Sequence, residues 1–216
     1  HDLRNPFNGI LGFLNILKND FDNLSTDEKK QYIDYVNISA NQVFRLIERL
    51  LELARLKDGR YHFKSDKVNI REITEQVLQL QRTNTINKKV TIENNINKDV
   101  FILADKVSVG TILRNLTDNA IKFTPAGGKV TIESESKNDN VLIYVKDNGV
   151  GMDCEDIKNI FKLDKRIISK GTNDEKGTGL GLFVCKEMIE KMNGSIKVES
   201  EIGNGSTFIV SFPESV

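Results

Sequence analysis

Between residues 33 and 56, Ile33, Val36, Ala40, Val43, Ile47, Leu50 and Ala54 recur in alternating steps of three and four. That spacing describes a heptad seam, not the broader stripe of a globular surface helix. A seam needs a partner. Leu3, Pro6, Ile10, Phe13 and Leu17 repeat the same alternation, and the connector from 19 to 27 is short enough to fold the two helices back antiparallel. Ser25 followed by Glu28 supplies a capping box for the second helix. A lone hairpin presents more apolar surface than it covers, so two hairpins pairing as a dimeric four-helix bundle is the expected arrangement. A hairpin packed on its own globular domain is the alternative.

The seam stops at Lys57-Asp58-Gly59, where glycine follows the last periodic residue. The boundary falls near Arg60, between a helical hairpin at 1–59 and a second domain at 60–216. There the periods mix. A helix is predicted at 70 to 82, a strand at 90 to 96, and a helix at 106 to 123 whose Val109, Ile112, Leu113, Leu116 and Ala120 share a face. Val130 and Ile132 alternate in one strand and Val141, Ile143 and Val145 in the next, with a turn at 137 to 140. A helix at 186 to 192 ends at Asn193-Gly194, and a second hairpin sets Ile196 and Val198 against Phe208, Val210 and Phe212 around Gly203-Asn204-Gly205. Adjacent hairpins imply an α+β chain: a mixed, largely antiparallel sheet with helices on one face, an α/β sandwich following the helical hairpin.

A length of 216 residues suits one compact domain with a helical appendage. Lys+Arg and Asp+Glu each number 31, so the formal charge is zero and no basic face for nucleic acid is expected. Cys154 and Cys185 show neither CxxC spacing nor a disulfide framework; both are expected to be buried, reduced thiols of a cytosolic protein. No apolar run approaches a membrane span, so direct membrane contact is not expected of this piece. Starting at His1, inside a helical pattern, the chain reads as part of something longer, and a parent anchored in the cell membrane is compatible with that reading.

Three blocks carry candidate chemistry. The first is Asn115-Leu-Thr-Asp-Asn-Ala-Ile-Lys-Phe-Thr124, the second Asp147-Asn-Gly149-Val-Gly151, the third Gly177-Thr178-Gly179-Leu180-Gly181. Asn119 offers a neutral oxygen to a hard cation such as Mg²⁺, Lys122 a point charge to phosphate, and Asp147 an acceptor to a base amine. Gly149 and Gly151 let backbone approach a ligand. Asn115, Asn119 and Lys122 share one helical face. The third block is neither a Walker A loop nor a G-x-G-x-x-G turn, but its amides and the following helix N-terminus can take phosphate oxygens. Asp147-Asn-Gly by itself would be an ordinary turn. Upstream, His1 and Asn5 stand one helical turn apart.

Together with His1-Asp2-Leu3-Arg4-Asn5-Pro6, these blocks resemble the signature boxes of the sensor histidine kinases, and the resemblance spans essentially the whole chain. It implies ATP and Mg²⁺ as cofactors, His1 as the phosphorylated residue, Asp2 as its base, and Asn5 orienting a water for dephosphorylation. The family shows the same proline as Pro6, which should kink the helix. The resemblance further implies that Asn119 binds Mg²⁺, that Asn115 and Lys122 approach the phosphates, that Asp147 takes the adenine amine, and that Thr207 supports that contact through water. The polar run between Phe161 and Gly177 would be a lid over ATP. Ile160-Phe161 matches the family's F box, whereas Leu163-Asp164 departs from its usual second aromatic. His62 is given a solvated or packing role.

The implied activity is an ATP-dependent autokinase of a two-component system. It would work as a cytoplasmic homodimer, pass phosphate to a response-regulator receiver domain, and also dephosphorylate that domain. Two competitors remain. One is an ATPase or serine kinase of the same Bergerat-type fold, which would lack the His-Asp-x-x-Asn hairpin. The other is a nucleotide-sensing pseudokinase scaffold, against which the intact His1, Asn119 and Asp147 count.

Overall fold

The computed structural model describes residues 3–57, 63–163, 171–173, 175 and 179–215, except for the side chains of Arg45, Arg49 and Lys57. The chain divides into two compact units, His1–Asp58 and Gly59–Val216.

In the first unit, α1 (Arg4–Asp20) and α2 (Thr26–Lys57) form the hairpin, joined through one 3₁₀ turn at Phe21–Asn23. The capping box is present: Ser25 N donates to Glu28 Oε2 at 2.9 Å, and Glu28 N donates to Ser25 Oγ at 3.2 Å. All five expected seam residues of α1 are partly covered. On α2 the seam is shifted. The residues that turn inward are Tyr32, Val36, Ser39, Val43 and Leu46, with Phe13 stacked on Tyr32 and Tyr35 at centroid distances of 5.6 and 5.0 Å. Of the expected set only Val36 and Val43 belong to this stripe; Ile33, Ala40, Ile47, Leu50 and Ala54 are exposed. The reason is that α2 carries two adjacent apolar stripes, and a single heptad count merges them. Pro6 is the third residue of α1 as described, and Leu3 before the helix already has helical φ and ψ. The expected helix end at 58–59, and His62, lie outside the described residues.

In the second unit, β2 (Thr91–Asn94), β4 (Lys129–Lys137), β5 (Asn140–Asp147), β6 (Ser195–Glu201) and β7 (Gly205–Pro213) form a sheet of order β2-β4-β5-β7-β6. Only β2 with β4 is parallel. The sheet is mixed and largely antiparallel, as the hairpin signals imply. Val130, Ile132, Val141, Ile143, Val145, Phe208, Val210 and Phe212 are buried under the helices α3 (Ile70–Lys88), α4 (Lys106–Phe123) and α6 (Gly181–Lys191). The β4–β5 turn uses Asn138 and Asp139 at φ 52° and 58°, the left-handed pair of a tight hairpin.

Several elements depart from the sequence reading. β1 (Asp66–Asn69) and β3 (Phe101–Ala104) make a separate two-stranded sheet that was not expected, because four residues are too few for a period. The short α5 (Cys154–Asn159) was also missed; its N-cap Asp153 accepts from Glu155 N and Asp156 N. It leaves Cys154 exposed, and only Cys185 is buried. α6 begins five residues before the expected 186, and α3 runs to Lys88 instead of stopping at Arg82. What ends α3 is Lys89 at φ 57°, its amide bonded to Ile86 O and Thr85 O.

Lys89 is exposed and holds a left-handed conformation that costs a non-glycine residue about 1–2 kcal/mol. Lys89→Gly is therefore expected to stabilise the second unit by roughly 0.5–1 kcal/mol, once the greater freedom of glycine in the unfolded chain is subtracted. Urea unfolding with a higher midpoint and an unchanged slope checks this; a lower midpoint would mean that the Lys89 side chain has a role in the fold.

Candidate functional site

The site is built on α4. Asp105 starts the helix by accepting from Ser108 N and Ser108 Oγ, both at 2.8 Å, and it also accepts from Lys64 N. Burial works to raise this carboxyl, but the hydrogen bonds outweigh it and leave it below the ordinary carboxylate range. The face of Val109, Ile112, Leu113, Leu116 and Ala120 is sealed. On the neighbouring face stand Asn115, almost buried with Nδ2 donating to Thr111 O at 3.0 Å, and the half-buried Asn119 and Lys122. Lys122 Nζ lies 4.5 Å from the Phe123 ring centroid.

The last carbonyls of α4 are gripped from several sides. Val150 N donates to Phe123 O at 3.2 Å, tying the Asp147–Val150 turn to the helix end, and Thr172 N donates to Lys122 O at 3.1 Å. Lys88 Nζ, from α3, donates to the same Lys122 carbonyl and to Glu175 Oε1. Higher up α3, Gln81 hydrogen-bonds Asp118, the residue before Asn119. The Phe161–Gly177 run thus has a described part, 171–173 and 175, folded onto the end of α4; 164–170, 174 and 176, with Gly177 and Thr178, lie outside the described residues.

Asp147 ends β5 on the helix-facing side of the sheet. Its Oδ1 accepts from Gly149 N at 2.9 Å and from Ser206 N at 3.2 Å, while Oδ2 has no hydrogen-bond partner among the described residues. Burial pushes its pKa up to about 6, against the two amide bonds that lower it. Backbones crowd here. A Cβ at Gly205 (φ 87°) would lie 2.0 Å from Asp147 O, and one at Gly151 (φ 69°) would lie 1.9 Å from Glu201 O, so both positions require glycine. Gly179, at φ 65°, precedes the fully buried Leu180 and Gly181, where α6 opens against α4.

One expected residue is not brought in. Thr207 lies on the sheet face opposite Asp147, because the burial of Phe208, Val210 and Phe212 fixes the alternation of β7. Ser206 is the direct cross-strand partner of Asp147, and its Oγ lies 2.9 Å from Ser200 Oγ. The phenylalanine alternation already carried that signal. Asn5 stands exposed on α1; His1 and Asp2 lie outside the described residues. Among the described residues no three His, Cys, Asp or Glu side chains gather as a metal site. A divalent cation at Asn119 would therefore draw most of its oxygen shell from phosphate and water, which suits Mg²⁺. No helix among the described residues is long and apolar enough to cross a membrane.

Residues 104–216 match the family described as histidine kinase-, DNA gyrase B-, and HSP90-like ATPase, and residues 1–59 match the His Kinase A (phospho-acceptor) domain. The chain is 29% identical over 220 residues to the autoinducer 2 sensor kinase/phosphatase LuxQ of Vibrio harveyi, covering 99% of this chain and 25% of LuxQ. It is 34% identical over 215 residues to sporulation kinase C of Bacillus subtilis, covering 99% and 47%. The chain thus spans between a quarter and a half of these relatives. Histidine kinase AdeS of Acinetobacter baumannii shares the fold, with a TM-score of 0.78 at 22% identity over 100% of this chain and 98% of that one. Histidine kinase ThkA, solved in complex with response regulator protein TrrA, superposes with a TM-score of 0.77 at 26% identity, covering 100% and 59%.

Because the folded state raises the Asp147 pKa, it favours the protonated carboxyl. Stability linked to this group is full below the unfolded value near 4 and is lost as pH rises to about 6. Asp147→Asn cannot ionise, so it should be more stable than wild type at pH 7, and the gap should narrow towards pH 4. A carboxyl-carbon NMR titration should give a midpoint near 6. An ordinary midpoint near 4 would show that burial does not govern this side chain.

Proposed function

This chain belongs to the histidine kinase family, and on that premise we propose that it moves the γ-phosphoryl group of ATP to His1 and then to an aspartate of a receiver domain. The observation that carries this reading is the union in one chain of a phospho-acceptor match containing His1-Asp2-Leu3-Arg4-Asn5 with an ATPase-like match containing Asn119, Asp147 and the third glycine block. Neither half alone would imply a histidine phosphotransferase.

Asp147, through its second carboxylate oxygen, accepts from the adenine amine, and Ser206, its direct cross-strand partner, takes the supporting place that the resemblance implies for Thr207. Asn115 and Lys122 approach the phosphates, and Asn119 would hold Mg²⁺, which when bound offsets charge on the transferring group. Backbone amides of Gly177, Thr178, Gly179, Leu180 and Gly181, with the start of α6, take phosphate oxygens. A ring nitrogen of His1 attacks the γ-phosphorus; the new N–P bond replaces the P–O bond to ADP, which leaves with the electron pair. Asp2 accepts the proton from the other ring nitrogen.

Asn5, exposed one turn along and unable to exchange a proton near neutral pH, orients water when the receiver is dephosphorylated. The dual name of LuxQ, sensor kinase/phosphatase, supports this second activity. The response regulator seen with ThkA supports the receiver as partner.

The second stripe of α2 supports a homodimer. Ile33, Ala40, Phe44, Ile47 and Leu51 are exposed at heptad spacing, as are Phe7, Leu11 and Leu14 on α1. A second hairpin would cover both rows. Val43 is already buried within the hairpin, so charge at Phe44, which is 61% exposed, is the cleaner probe.

His1→Gln should abolish acid-labile phosphate incorporation from ATP and leave ATP affinity unchanged; persistent labelling would move the acceptor elsewhere. Asn119→Ala should lose labelling and weaken Mg²⁺-ATP binding by roughly tenfold or more, about 1.4 kcal/mol, and an unaffected variant removes Asn119 from the site.

Phe44→Glu should convert the dimer to a monomer in sedimentation equilibrium at micromolar protein. An unchanged mass would put the dimer contact elsewhere.

A further inference from the structure

The stripe of α3 that faces inward changes character along its length. Ile70, Ile73 and Val77 are followed by Gln81 and Lys88, both only 5% exposed. A buried ammonium costs several kcal/mol unless it is paired and hydrogen-bonded. Lys88 meets that condition with two partners: Glu175 Oε1 at 2.7 Å and the backbone carbonyl of Lys122. Exchanging such a pair for apolar side chains is often neutral or stabilising, so stability alone does not account for it.

Its placement does. The Lys122 carbonyl belongs to the last turn of α4, the negative end of the helix dipole, where a cation is favoured. Glu175 accepts from Asn173 N at 2.8 Å through Oε2, and its own carbonyl accepts from Gly171 N at 2.9 Å. Burial works to raise the Glu175 carboxyl, but the hydrogen bonds, led by that from Lys88, leave it below its ordinary range, so it stays ionised near neutral pH. One ammonium thus joins the end of α3, the end of α4 and Glu175, which is itself bonded to Gly171 and Asn173. Because Glu175 cancels its charge, Lys88 adds no net positive potential; Lys122 remains the cation offered to phosphate.

We propose that Lys88 is a positioning residue for the phosphate end of the nucleotide site, acting through Lys122 and Glu175. This rests on the nucleotide reading above. By gripping the Lys122 carbonyl it fixes the turn of helix from which the Lys122 side chain projects, and by gripping Glu175 it holds that residue, with Gly171 and Asn173 bonded to it, against the same helix end. The Asp147 carboxylate is held by Gly149 N and Ser206 N, and its turn meets α4 through Val150 N at Phe123 O, a carbonyl that Lys88 does not take.

The test compares Mg²⁺-ATP with adenosine, which has no phosphate, by calorimetric titration of the whole chain. Lys88→Met should weaken ATP about tenfold, the equivalent of 1.4 kcal/mol, while adenosine binding stays at the wild-type value. Glu175→Gln, at a more exposed position that tolerates exchange, should produce a smaller loss of the same ATP-selective kind, and the double variant should be no weaker than Lys88→Met alone. Lys88→Arg should recover part of the ATP affinity. A merely structural role would lower ATP and adenosine binding together, and that result overturns the proposal. Unchanged ATP affinity in both single variants overturns it as well, while leaving the nucleotide reading intact. Absence of ATP binding by the wild type would sink the nucleotide reading, and this inference with it.

Discussion

A helix that lies on a sheet with one face sealed has only its remaining edge to offer a ligand, and α4 is under that constraint along most of its length. Val109, Ile112, Leu113, Leu116 and Ala120 cannot turn outward without opening the core, so the rotation of the helix about its axis is set by burial. That rotation presents Asn115, Asn119 and Lys122 together. The remaining freedom is at the C-terminal end, where unpaired carbonyls would let the last turn fray. Val150, Thr172, Thr124 and Lys88 remove it by donating to the terminal carbonyls. Asn115, Asn119 and Lys122 therefore inherit their placement from a hydrophobic face and from hydrogen bonds to backbone.

What could be read from the chain was what local physics determines. The whole extent of α4 followed from its period, and the β4–β5 and β6–β7 hairpins from alternation and turn chemistry. The end of α3 was misplaced because a left-handed lysine is an uncommon stop for a helix. β1 and β3 are four-residue strands that pair with each other across more than thirty residues, and β3 adds one bridge from Ile102 to Glu214 near the other end of the sequence, so nothing near either strand announces the pairing. The choice of Thr207 over Ser206 was an error of parity: Phe208, Val210 and Phe212, already read as one face, carry Ser206 with them and exclude Thr207. The buried role of Lys88 was not legible, because its partners are contributed by two distant segments.

The hairpin unit shows a different limit of sequence reading. Its two apolar stripes sit side by side on α2, and a count that steps by three and four passes from one to the other without a break in periodicity. Only burial separates the row that meets α1 from the row that does not. The intact hairpin thereby keeps Tyr32, Val36, Ser39, Val43 and Leu46 for itself and leaves a second set of large apolar residues, Phe44 and Leu51 among them, for another surface.

The bond from Ser206 N to Asp147 Oδ1 spans 59 residues of sequence, whereas β4 and β5 meet across a two-residue turn. Closing a long loop costs more chain entropy than closing a short one, and contacts of high sequence separation form late in folding. The acidic end of β5 has a local donor in Gly149 N, but it gains its second, Ser206 N, only when β7 arrives beside it. During synthesis that event waits for β7 to emerge. An incomplete chain, however well its early hairpin is folded, therefore leaves Asp147 with the Gly149 amide alone, and the second donor comes only with the completed sheet.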